Sequence, residues 1–106
     1  MFYELRQYRI RKGKMADWVK LMEGEIIPFQ SSQGMVIVGS FVDEEDSRHY
    51  VWMRRFKSEA ERKRLYARVY ESAQWREVIS PKVGKLLDRS SIVVSRIVPT
   101  GKSIIH

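Results

Sequence analysis

The hydrophobic period of this chain switches between two and 3.6 residues in a fixed order, and that order constrains the fold more tightly than any single motif. Residues 2–10, FYELRQYRI, alternate. Phe2, Glu4, Arg6, Tyr8 and Ile10 share one face, and Tyr3, Leu5, Gln7 and Arg9 the other, which predicts a first strand. Gly13 in RKGK marks a turn. From Lys14 the spacing becomes helical: Met15, Trp18, Met22, Ile26 and Phe29 recur at three and four, with Asp17, Lys20 and Glu23 between them. Gly24 weakens that helix and Pro28 kinks or ends it. The β-branched, almost wholly apolar MVIVGSFVD (35–43) predicts a strand covered on both faces. A charged turn, EEDS (44–47), leads into RHYVWMRRF (48–56), so strands two and three form an antiparallel hairpin.

Ser58 and Glu61 form a capping box that opens a second helix. Leu65, Val69 and Ala73, flanked by Tyr66 and Tyr70, make its buried stripe; Lys57, Glu61, Arg64 and Arg68 make the wet one. The pattern resumes with Trp75, Val78 and Ile79, breaks at Ser80-Pro81, and restarts through Val83, Leu86 and Leu87. SIVVSRIV (91–98) is a fourth strand that Pro99 stops, and TGKSIIH (100–106) is a flexible tail or an inter-subunit arm. The order β-α-β-β-α-β is that of an α+β, ferredoxin-like domain over residues 1–99: a four-stranded antiparallel sheet with helices on one face. Strand two is apolar on both sides, Val36, Val38 and Val42 against Met35, Ile37 and Phe41, so the uncovered sheet face calls for a second copy of the chain.

Composition narrows the chemistry. With 106 residues the chain is one domain. It has no cysteine, which removes disulfides, thiolate metal sites and cysteine nucleophiles. The N-terminal MFYELRQYRI carries Glu4 and no apolar core of a leader, and no apolar run reaches the ~20 residues of a membrane span, so a cytoplasmic protein is expected. The net charge of +7 is uneven: residues 54–68 hold seven basic and two acidic groups. No nucleic-acid motif surrounds that run, and a solvated basic helix face accounts for it, so no nucleic-acid partner is expected.

YELRQY at the start, KGK entering the first helix, YVWMRRF in strand three, Tyr70, Trp75 and the closing IVVSRIVP resemble the NIPSNAP family over residues 3–99. The family pattern is a Y-x-L-R-x-Y opening, an F-V-W-L-R-x-F strand and a final strand ending near R-P. The resemblance implies two ferredoxin-like sheets packed face to face, a dimeric α+β barrel. Members of that superfamily include cofactor-free monooxygenases of aromatic polyketides, haem-degrading enzymes and lactone isomerases, so fold does not fix function. The chain departs from its bacterial relatives in WREVISPKV (75–83), where Val78 and Val83 stand in place of a histidine and an asparagine, which lowers the case for an enzyme.

Glu4, Arg6, Tyr8, Trp52 and Arg54 are the candidate ligand-binding residues, because strands one and three are the central neighbours and these rows lie side by side. Two readings follow. In one, they form an ion-paired stripe between sheet and partner subunit. In the other, Tyr8, Trp52 and Arg54 line a cavity for a planar acidic or aromatic molecule. Arg54 and Arg55 point oppositely, one into an interior shared with Trp52 and one towards the helix side or an edge. His49, Arg54 and Tyr8 are the only candidates for catalysis; His49 has no carboxylate at a ligand spacing, and neither metal nor cofactor is expected. Three functions stay open: a small-molecule binding protein, a cofactor-free monooxygenase or isomerase, and an interaction module using the basic helix 57–68.

Overall fold

A computed structural model describes residues 1–106. Strand β1 (Phe2–Ile10) leads through a turn at Gly13, whose φ of 74° suits glycine, into helix α1 (Met15–Leu21). The helix widens into a π-helical stretch over Met22–Ile26 and continues as α2 (Ile27–Ser32). Strands β2 (Val36–Val42) and β3 (His49–Phe56) form the expected hairpin. Helix α3 (Glu59–Tyr70), a second π-helical stretch (Gln74–Ile79) and α4 (Ser80–Leu86) then carry the chain to β4 (Leu87–Ile97). The sheet order is β2-β3-β1-β4 with antiparallel pairing throughout, so the fold is ferredoxin-like with β1 and β3 central.

Pro28, expected to kink or end its helix, and Pro81, expected at a break and restart, each lie in the first turn of an α segment that follows directly on a π-helical stretch. Loosened turn geometry ahead of the proline tolerates its missing amide, so the helix changes type there and carries on.

Three further differences have local causes. Ala73 is exposed rather than buried. The Ser72 hydroxyl donates to the Val69 carbonyl and accepts from the Trp75 amide, so the helix ends and restarts there, the stripe shifts phase, and Trp75 and Ile79 turn inward instead. Val78 is likewise on the surface. The fourth strand starts at Leu87, not residue 91: Leu87 pairs with Ile10, and a bulge opposite Gln7–Arg9 accommodates the polar DRS that follows.

The core lies between the sheet and its own helices. Tyr8, Ile10, Tyr50 and Trp52 meet Trp18, Met22, Ile26, Ile79 and Val83, while Met35 and Phe56 meet Leu65 and Val69. On the other sheet face Leu5, Val51, Met53, Val93 and Phe41 are neighbours by register, and Phe41 and Val93 are more than half exposed. A bulge between Ile37 and Gly39 puts Val36 with Phe41 on this outer face, where the sequence pattern sets them on opposite faces, and Ile37 with Val42 on the inner one. Val42 is also more than half exposed, so within a single chain β2 is covered only near Ile37. The Phe41 ring lies over Gly39, where a Cβ would clash with it. The C-terminal residues turn at Thr100–Ser103 and lie back along this outer face near Tyr3, where an Arg55 guanidinium NH donates to the His106 carbonyl at 3.0 Å.

Candidate functional site

The side chains that point from β1 and β3 towards the helices carry the polar chemistry. Register places Glu4 opposite Arg54, Arg6 opposite Trp52 and Tyr8 opposite Tyr50. All five residues singled out from the sequence share this face. It looks onto the helices of the same chain, not onto a partner subunit, because Tyr50, Trp52 and Phe56 have the same parity as Arg54 and are large enough to demand the core. Arg54 is thus the inward arginine, with Trp52, and Arg55 lies on the outer face.

Arg54 is fully buried and Glu4 is 1% exposed. A charge so placed costs several kcal/mol unless its partners are excellent. One Arg54 NH2 donates to Glu4 Oε1 and to the Tyr66 hydroxyl, both at 2.8 Å. The other donates to Gln30 Oε1 at 2.9 Å and to the Tyr70 hydroxyl at 2.7 Å. The plane of the guanidinium also sits 4.7 Å from the centre of the Trp52 ring. Burial alone would push the Arg54 group down; the Tyr70 and Tyr66 oxygens and the Glu4 carboxylate outweigh it and hold it up. Burial likewise works to raise Glu4, but hydrogen bonds from Arg62 and Tyr66 and the Arg54 charge hold it below the usual carboxylate range. Arg62 Nε reaches Glu4 Oε2 at 2.7 Å from α3.

Tyr66, Tyr70, Arg62 and Gln30 complete this network, and the sequence reading did not place them in it. A signal existed for two of them. Gln30 falls in phase with Met22 and Ile26, a lone amide on a buried stripe, and Tyr66 and Tyr70 stand four apart beside Leu65 and Val69.

Beside the network lies a cavity of about 430 Å³ of empty space, including its open mouth, between the sheet, the first helix and the Trp75–Leu87 segment. Tyr8 and Trp52 line it, and so does Arg6, whose side chain is 15% exposed. Arg54 and Glu4 do not; they stand behind Gln30 and Tyr70. Arg6 Nε donates to the Tyr8 hydroxyl at 2.8 Å, and its remaining contact with Glu4 is a long 3.9 Å. Three guanidinium groups therefore surround one carboxylate, which leaves the site net positive. Burial raises the Tyr8 hydroxyl, and the Arg6 charge offsets it only in part, so Tyr8 stays protonated. Rings of Trp18 and Trp52 line the cavity, while their indole NH groups are buried away from solvent. Arg89, which nothing in the sequence pattern marks, stands at the rim.

His49 is elsewhere. It faces the outer side of β3, with Nδ1 2.8 Å from Asp43 Oδ2 and Nε2 3.0 Å from Gln7 Oε1. The hairpin brings together Asp43 and His49, six residues apart and joined across the turn by the Asp43 amide to His49 carbonyl bond, a closeness that linear spacing hides. The His49 hydrogen bond, with two backbone NH groups, pulls the Asp43 carboxyl down to about 2. Of the two valines at positions where the resemblance leads one to expect polar groups, Val83 lines the cavity and Val78 does not.

The NIPSNAP family model matches residues 3–100. An Agrobacterium tumefaciens protein of known crystal structure superposes with a TM-score of 0.90 at 28% identity over 100% of both chains. A NIPSNAP family protein from A. tumefaciens strain C58 gives 0.86 at 27% identity, covering 99% of this chain and 98% of that one. An uncharacterised NIPSNAP domain protein from Burkholderia xenovorans gives 0.84 at 19%, covering 97% and 98%, a likeness of fold. No functionally curated protein matches the sequence. A match spanning nearly the whole domain, on a fold and strand register that its own residues dictate, places this chain in the NIPSNAP family.

Proposed function

We propose that this NIPSNAP-family protein binds a small anionic, ring-bearing molecule in the cavity between its sheet and helices, and works as a homodimer closed over the outer sheet face. The observation that carries the ligand reading is the one-sided chemistry of the wall. Arg6, Arg89 and the Tyr8 hydroxyl all offer hydrogen, and no carboxylate or imidazole lines the cavity. Hydrogen bonds from a guanidinium are stronger than neutral ones, which favours an acceptor-rich, anionic occupant. Aromatic faces from Trp18, Trp52 and Trp75 suit a flat ring.

The same wall weighs against a reaction that needs proton abstraction. It holds no group that acts as a base near neutral pH, and Tyr8 is held protonated, fit to donate. Binding is therefore the first reading and catalysis the second.

All three tryptophans of the chain line the cavity, so intrinsic fluorescence reports its occupancy. Titration with benzoate at low ionic strength quenches the wild type saturably, and Arg6→Gln weakens binding at least tenfold. Equal affinity in the two proteins would contradict the assignment of Arg6 as the anion's partner.

A further inference from the structure

The cavity carries a second cation that the polar network does not use. Arg89, two residues past Leu87 on β4, has no carboxylate partner; its guanidinium donates to the Ser80 carbonyl and hydroxyl, both at 2.8 Å. It lies across α4 in a space that exists only because residue 84 is glycine, since a Cβ there would meet Arg89 Nη1 at 2.7 Å. Arg6 is drawn the other way, towards the Tyr66 hydroxyl of α3. Register separates their roots as well. Arg6 pairs with Val94, whereas Leu87 pairs with Ile10, four residues further along β1, or about 13 Å at a strand's rise. The two positive groups thus enter the cavity wall from different strands, β1 and β4, with aromatic and aliphatic side chains also lining it.

We infer that the occupant carries two acidic groups on a planar ring, one met by Arg6 inside and one by Arg89 at the rim: a dianion of the aromatic dicarboxylate class. This rests on the cavity being the anion site proposed above. A single carboxylate engages one guanidinium and leaves the other with only its neutral oxygen partners, the Tyr8 and Tyr66 hydroxyls or the Ser80 oxygens. Two carboxylates held apart by a ring satisfy both, each by charge-assisted hydrogen bonds.

The test is fluorescence titration of the full chain with benzoate, isophthalate and terephthalate, for wild type, Arg89→Gln and Gly84→Ala. Arg89 is exposed, so its removal leaves the core untouched. Gly84→Ala keeps every charge, sits in a helix that alanine favours, and displaces only the flexible end of Arg89. The wild type is expected to bind at least one dicarboxylate tenfold more tightly than benzoate. Either variant brings that dicarboxylate to the benzoate level. Equal wild-type affinity for all three probes overturns the dianion while benzoate binding still supports the anion site. A preference that survives Arg89→Gln overturns the role of Arg89. Failure of all three probes to bind overturns both.

Discussion

At the scale of residues, the site is built around one carboxylate that serves two guanidiniums at hydrogen-bonding distance. Because folding depresses the Glu4 carboxyl, its charge supports the fold above its ordinary value of 4.5, and that support is lost as pH falls through the lower folded value. Glu4→Gln removes the charge that Arg54 needs, so at pH 7 it is expected to destabilise by about 3 kcal/mol in urea denaturation. The gap between variant and wild type then narrows as pH falls from 4.5, where the unfolded chain takes up the proton, to the lower value at which folded Glu4 does. A gap independent of pH would mean that Glu4 contributes shape and not charge. The pairing of Glu4 with Arg54 was legible in the sequence, because strand parity and the order of strands put both on one row of adjacent strands. Which way the row faces goes against the sequence expectation, which sets the Trp52 row away from the helix side; the bulk of Tyr50, Trp52 and Phe56 turns it onto the helices. Arg89 was not legible. Its place depends on a bulge and on the absence of one methyl group at residue 84, neither of which leaves a periodic trace.

At the scale of elements, local chemistry sets the boundaries the sequence shows most clearly. Ser58 Oγ accepts from the Glu61 amide at 3.1 Å, and Glu61 Oε1 accepts from the Lys57 amide at 3.0 Å, the reciprocal cap expected from SEAE. Ser58→Ala is expected to cost about 1 kcal/mol in thermal or urea unfolding; no loss would show that α3 is held by packing of Leu65 and Val69 alone. The π-helical stretches are the opposite case. Pro28 and Pro81 announce a disturbance, but whether a helix stops or widens depends on what its far side packs against, here Ile26 and Ile79 in the core. Ala73 misled for a related reason: a serine one residue earlier reset the helical phase through its own hydrogen bonds.

At the scale of the whole molecule, one sheet face is dry and the other is bare. Val36, Phe41 and Val93 are exposed on a face that also carries Leu5, Val51 and Met53 beside the polar Gln7, His49 and Arg55, and the tail covers only the end near Tyr3. An apolar sheet face with an edge strand beside it invites self-association. The chain is expected to sediment as a dimer at micromolar concentration and Val93→Glu as a monomer with an unchanged helical signal; a monomeric wild type would leave the outer face without an occupant. The second copy would cover the outer face and leave the cavity, which opens within one chain, available to ligand.

The most direct test of a donor-only cavity compares shape with charge. Benzoate and nitrobenzene are planar rings of nearly the same outline, and only benzoate carries an anion. Isothermal titration of the wild-type protein at low ionic strength is predicted to show benzoate binding with nitrobenzene at least tenfold weaker. Equal or tighter binding of nitrobenzene would mean that the cavity selects a ring and not a charge, contradicting the role given to Arg6 and Tyr8.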